Sequence, residues 1–152
     1  MNPVFEPARP EDLPQLVELL GILFAQEHEL APDPAKQERG LRLIIENPAI
    51  GRIHVARDGE RVLGMVSILR TVSTAEGGPA GHLEDLVVRP ECRGRGIGSR
   101  LLAYAIGRSR AAGLRRLILL TDGDNAGAQR LYERAGFVRS RMLPMRLRFR
   151  RS

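Results

Sequence analysis

Three glycines at alternate positions constrain this chain more than any other feature. The stretch Arg93-Gly94-Arg95-Gly96-Ile97-Gly98 follows an apolar run, Leu83 to Val88, that ends at Arg89-Pro90, and it opens onto Ile97, Leu101, Leu102, Ala105 and Ile106 at helical spacing. The pattern predicts a strand, a tight turn and a helix. Amides in the first turn of a helix have no partner within it, and the helix dipole adds about half a positive charge there. Glycine lets an anion approach such amides without meeting a Cβ, so a pyrophosphate is the natural occupant.

Two common phosphate-binding motifs do not fit. A P-loop needs G-x-x-x-x-G-K-[ST], and the only lysine in the chain is Lys36. A dinucleotide fold places G-x-G-x-x-G after the first strand of a parallel unit, whereas this turn is spaced differently and follows at least two antiparallel strands.

Those strands come from the rest of the chain. Pro10, Glu11 and Asp12 suit a helix start, and Leu13, Leu16, Val17, Leu20, Leu23 and Phe24 recur at helical spacing. Asp33 before Pro34 is a plausible N-cap for a second helix, with Leu41, Ile44 and Ile45 as its apolar face and a stop at Asn47-Pro48. Ile53 and Val55 alternate with polar residues, Asp58-Gly59 marks a hairpin turn, and Val62 to Val72 resumes a β-rich run. Ser73 to Ala80 reads as a loop. After the glycine turn and its helix, which ends at Gly113, come a strand from Leu117 to Leu120, a helix from Ala126 to Ala135 stopped by Gly136, and strand again from Phe137. The order is α-α-β-β-β-α-β-α-β-β, with an early strand near Val4 as an option. Such alternation predicts an α/β chain with a mixed sheet and helices on both faces.

At 152 residues and 43% hydrophobic content, one domain over residues 1–152 is expected, without internal repeat or linker. Cys92 is the only cysteine, which excludes an internal disulfide and a cysteine-based zinc site and suits a reducing, cytoplasmic setting. No run approaches the roughly 20 apolar residues of a spanning helix, and Met1 to Pro10 lacks the order of a signal peptide, so no membrane association is expected. Glu27-His28-Glu29 lacks the second histidine of H-E-x-x-H and reads as a solvated face, so no metal is expected. The net charge of +6 divides unevenly. Residues 1–50 carry nine acids and four bases, and residues 51–152 nine acids and twenty bases. Arg146, Arg148 and Arg150 alternate with Met145, Leu147 and Phe149, the pattern of an edge strand with one wet face. With aromatics at 4% and no nucleic-acid motif, binding to RNA or DNA is disfavoured.

Leu86-Val87-Val88-x-Pro90-x-x-Arg93-Gly94-x-Gly96-Ile97-Gly98 resembles the R-x-x-G-x-G signature of the GNAT acetyltransferase superfamily, with its preceding strand. A second block, Asn125-x-x-Ala128-x-x-Leu131-Tyr132-x-x-x-Gly136-Phe137, is similar to that family's asparagine-to-tyrosine helix. The resemblance implies a mixed, mostly antiparallel sheet of about six to seven strands, and an enzyme that moves an acetyl group from acetyl-CoA to a primary amine by direct attack. It assigns the CoA pyrophosphate to the backbone of Arg93, Gly94, Arg95, Gly96, Ile97, Gly98 and Ser99, and the pantetheine arm to the strand backbone of Leu86, Val87 and Val88 and to Asn125. Asn125 reads equally as a helix cap. Tyr132 would protonate the departing thiolate.

His82-Leu83-Glu84-Asp85-Leu86 resembles the Leu-Glu-Asp segment of diamine and polyamine acetyltransferases. Glu84 is the candidate base, or a structural carboxylate; alternation puts His82 on its face and Asp85 on the opposite one. The acidic N-terminal third suits a small cationic acceptor. Acetylation of a protein or peptide, at its N-terminus or a lysine, and a noncatalytic acyl-CoA-binding module remain alternatives. The resemblance also implies a homodimer through the C-terminal strands, although Met142 to Phe149 could instead complete the sheet of one molecule.

Overall fold

The computed structural model describes residues 2–27 and 31–149. Among these residues, four α-helices flank one five-stranded sheet whose strands lie side by side in chain order. Strands β1 (Val4–Pro7), β2 (Gly51–Asp58), β3 (Arg61–Ser73) and β4 (Gly78–Val88) are antiparallel, and β5 (Leu117–Leu119) runs parallel to β4. Helices α1 (Leu13–Gln26) and α2 (Pro34–Glu46) cover one face, and α3 (Ile97–Ala111) and α4 (Ala126–Arg134) the other. A parallel connection needs a crossover, and α3 supplies it between β4 and β5.

Local chemistry sets most boundaries. Pro10–Asp12 forms a single 3-10 turn, so the α-helix proper begins at Leu13. The Asp33 carboxylate caps α2 by accepting from the Lys36 amide at 3.3 Å, as its place before Pro34 predicts. Leu16 and Leu19 of α1 and Leu41 of α2 are buried with Val55, Val62 and Met65 from the sheet. Gln37 joins the two helices, its amide nitrogen donating to the Val17 carbonyl at 2.9 Å. Across the sheet, Leu101, Leu102 and Ala105 of α3 pack on Val66, Ile68 and Leu83. Both faces are thus sealed, as expected for a mixed sheet between helix layers.

The strand near Val4 forms and pairs with β2. Between β3 and β4 only residues 74–77 remain as a turn, so half of Ser73 to Ala80 is strand rather than loop. The sheet has five strands, not six to seven, because residues 138–149 form no strand among the described residues. Val138, Met142, Leu143, Met145, Leu147 and Phe149 are 80–96% exposed. Their β-like alternation is present in the sequence, but a strand needs a neighbour to hydrogen-bond, and this segment pairs with no strand among the described residues. The readings placed on His28 and Arg150 lie outside the described residues. Among the described residues, no helix is long and apolar enough to cross a membrane, and no group of three or more His, Cys, Asp and Glu could hold a metal.

Candidate active site

Pairing between β4 and β5 covers only Gly81↔Leu117, His82↔Ile118 and Leu83↔Leu119. Beyond Leu83, β4 runs on to Val88 with no strand among the described residues on its β5 side, leaving an open edge from Glu84 to Val88. An open edge of this kind offers N–H and C=O groups to an extended ligand. The side chains there do separate work: Val87 is buried in the core, while Leu86 packs against the α3 side.

The open edge leads into the glycine turn. Gly94 and Gly96 adopt φ of +80° and +77°, and a Cβ built at either would meet nothing within 4 Å. Glycine is therefore needed here for backbone conformation and for approach from outside, not for internal packing. The first amide bonded back into the helix is that of Arg100, which donates to the Gly96 carbonyl at 3.1 Å. Amides from Gly94 to Ser99 thus stand ahead of the helical ladder, at the positive end of α3. Arg93 lies along the turn, its Nε donating to the Val88 carbonyl at 3.0 Å, and Arg95 is exposed beside it. This chemistry fits a pyrophosphate. Cys92 under the turn is 1% exposed and packs with Ile97 and Leu63, an apolar role.

A cavity of about 720 Å³ lies beneath, between α1, α2 and β4, with Leu20 and Phe24 on one wall and Gly40 and Leu41 on another. Glu84 and Asp85 both line it. That corrects the expectation that Asp85 faces away. The register with β3 jumps from Ser67↔Glu84 to Met65↔Val87, and Asp85 takes φ of +58°, so a bulge interrupts the alternation. Burial, then the charges of Glu84 and Glu27, push the Asp85 carboxyl up to about 7. Glu84 is 47% exposed and stands 3.7 Å from His82 Nε2, on the face that alternation assigns to both.

Tyr132 projects from α4 and packs edge-on against Phe137, with ring centroids 5.8 Å apart. Burial, then Glu27 and Asp85, push its phenol up to about 12, so it keeps its proton at neutral pH. Asp85 on β4 and Glu27 just after α1 thus both act on the phenol of Tyr132 on α4. Asn125 caps α4, its Oδ1 accepting from the Ala128 amide at 3.1 Å. The Leu-Glu-Asp run contains Asp85, but alternation along β4 assigns it to the wrong face.

Residues 13–137 match the model of the acetyltransferase (GNAT) family. The chain is 38% identical over 84 residues to an aminoalkylphosphonate N-acetyltransferase of Salmonella typhimurium, covering 55% of this chain and 54% of that protein. It is 34% identical over 87 residues to a mycothiol acetyltransferase of Geodermatophilus obscurus, covering 56% of this chain and 28% of the relative. The chain thus spans about half or less of the length of these relatives. Among solved structures, an integron cassette protein from the mobile metagenome of Cole Harbour Salt Marsh superposes with a TM-score of 0.83 at 26% identity, covering 97% of this chain and 91% of that one.

Proposed function

The chain belongs to the acetyltransferase (GNAT) family, and we propose that it transfers an acetyl group from acetyl-CoA to a small primary amine, both substrates bound together. The observation that carries this reading is the continuity of the open β4 edge, Glu84 to Val88, with the amides of the glycine turn at the start of α3. An extended pantetheine arm fits the first and a pyrophosphate the second. That alignment brings the thioester toward Tyr132 and the acidic cavity.

Bound acetyl-CoA supplies the activated acetyl group, and the protein supplies position and protons. Backbone groups of Leu86 to Val88 orient the arm, and a β4 amide polarises the carbonyl as negative charge develops on its oxygen. Tyr132, neutral at physiological pH, donates to the departing sulfur. Glu84 and Asp85 draw a cationic ammonium into the cavity. The presence of this donor and these carboxylates favours catalysis over a noncatalytic acyl-CoA-binding module. The 720 Å³ cavity suits a small acceptor better than a protein chain.

A second reading refines the acceptor. The same cavity carries Lys36 and Arg148, neither of which forms an ion pair among the described residues. An acceptor with an acid group at its other end would use them, as the name of the aminoalkylphosphonate relative suggests. We also infer that residues 138–149 dock on a second copy, because their exposed apolar side chains and the short, open-edged β5 leave two unpartnered surfaces in each molecule.

Calorimetric titration with acetyl-CoA, CoA and NAD at physiological salt tests the central reading. Micromolar binding of acetyl-CoA and CoA without NAD, followed by amine-dependent thiol release, supports it. Absence of acetyl-CoA binding refutes it.

A further inference from the structure

We propose that Asp85, at the β4 bulge, takes the proton from the acceptor's ammonium, and that Glu84 beside it holds the ammonium in place without accepting that proton. This rests on the acetyl-transfer reading above and assigns its proton route.

The geometry separates the two carboxylates. A regular β4 would direct Asp85 to the face opposite Glu84. The register jump and the left-handed backbone at Asp85 instead bring it onto the cavity that Glu84 lines. A non-glycine residue at positive φ persists only where surrounding structure enforces it, and such positions concentrate at functional sites. Asp85 is half-buried and Glu84 exposed to solvent. Glu84 also has His82 3.7 Å away. Asp85 is also, with Glu27, one of the two carboxylates whose charge raises the Tyr132 phenol.

The charges around Asp85 come from every element packed there: Glu84 on β4, Glu27 after α1, Tyr132 on α4, Asp33 and Lys36 at the start of α2, and Arg148 in the C-terminal segment. Burial and the two glutamates place the Asp85 carboxyl at about 7. A base near the working pH is ionised in part of the population and strong enough to accept a proton. The Asp85 carboxylate takes one proton from the ammonium and frees the nitrogen lone pair. That pair forms the C–N bond at the acetyl carbon as the C–S bond breaks. Tyr132 protonates the sulfur, and the surplus proton on the new amide nitrogen restores the phenol. Asp85 releases its proton to solvent, so the cycle liberates one proton per acetyl group moved.

The test is the pH dependence of kcat/KM, with 1,4-diaminobutane and 2-aminoethylphosphonate as acceptors, for the unaltered protein, Asp85→Asn and Glu84→Gln. Acetyl-CoA binding is measured on each by calorimetry. The unaltered enzyme should gain activity as pH rises through about 7. Asp85→Asn should abolish that limb and lower kcat by roughly 100-fold or more, with acetyl-CoA affinity intact. Asparagine tolerates left-handed backbone, so this variant keeps the bulge. Glu84→Gln should retain the limb, move it to lower pH because a neighbouring negative charge is lost, and raise the acceptor KM. An unaltered limb and kcat in Asp85→Asn, or loss of the limb in Glu84→Gln, would overturn the assignment while leaving acetyl transfer standing. Failure of the unaltered protein to bind acetyl-CoA would overturn both.

Discussion

Arg57 on β2 clamps Asp12 at two points: Nη1 donates to Oδ1 at 2.8 Å and Nη2 to Oδ2 at 2.7 Å. Asp12 is 4% exposed and Arg57 8%, and Arg57 Nε also donates to Glu6 at 2.6 Å. The pair ties the turn before α1 to the sheet, and so fixes the helix that walls the cavity. Asp12→Ala should cost about 3–5 kcal/mol, the usual loss on breaking a buried pair, read as a fall in the urea midpoint. Burial alone would raise the Asp12 carboxyl, but hydrogen bonds from Arg57 and the Arg9 amide, with the Arg57 charge, hold it below its ordinary 3.8. Its contribution is complete above that value and fades as pH falls through the lower, folded one.

His54 should give a second acid-sensitive step at higher pH. Burial, with Arg108 and Arg52 nearby, pushes its imidazole from 6.5 down to about 4, and its ring lies edge-on to Tyr104 at 5.3 Å. Below pH 6.5 the unfolded chain takes up a proton that the folded one refuses. Stability should therefore decline from about pH 6.5 to about pH 4, by about 3 kcal/mol in all. Denaturant midpoints at pH 7 and pH 5 measure it, and His54→Leu should remove that difference.

Gly96→Val separates conformation from ligand approach. Nothing within 4 Å would meet the new Cβ, but φ of +77° disfavours valine. The stability loss should be modest, on the order of 1–2 kcal/mol, while acetyl-CoA binding disappears in calorimetry. Retained micromolar binding would remove the turn from the pyrophosphate site.

Tyr132→Phe keeps the ring packed on Phe137 and deletes only the hydroxyl. Turnover should fall by about 100-fold with the acetyl-CoA dissociation constant unchanged. Unaltered turnover would exclude the phenol as proton donor.

Leu147→Ser with Phe149→Ser should shift the protein toward monomer in sedimentation, since these side chains are 80% and 89% exposed in the single chain. A monomeric parent protein would remove the second copy as the partner of this segment.

Much of this was legible in the residues. Asp33 before Pro34, Asp58-Gly59 and Gly113 act through local backbone chemistry and stand where the sequence puts them. The glycine turn was legible for the same reason, because a helix start with bare amides is specified within a few consecutive residues. Tyr132 stands out by its motif, and α4 carries it into the cluster on the α3 side of the sheet.

Asp85 was not legible, because the bulge that turns it is a relation between β3 and β4 and leaves no mark on the local alternation of β4 alone. The C-terminal segment went astray for a related reason. Met145, Leu147 and Phe149 carry a strand's alternation, yet a strand exists only where a neighbour accepts its hydrogen bonds. The sequence by itself determined the run of helices and strands from α1 to α4, the glycine turn and the residues available for chemistry, since each depends on near neighbours. Tertiary structure alone decided where β4 and β5 part and that Asp85 joins Glu84 on the cavity, since both depend on register between segments distant in the chain.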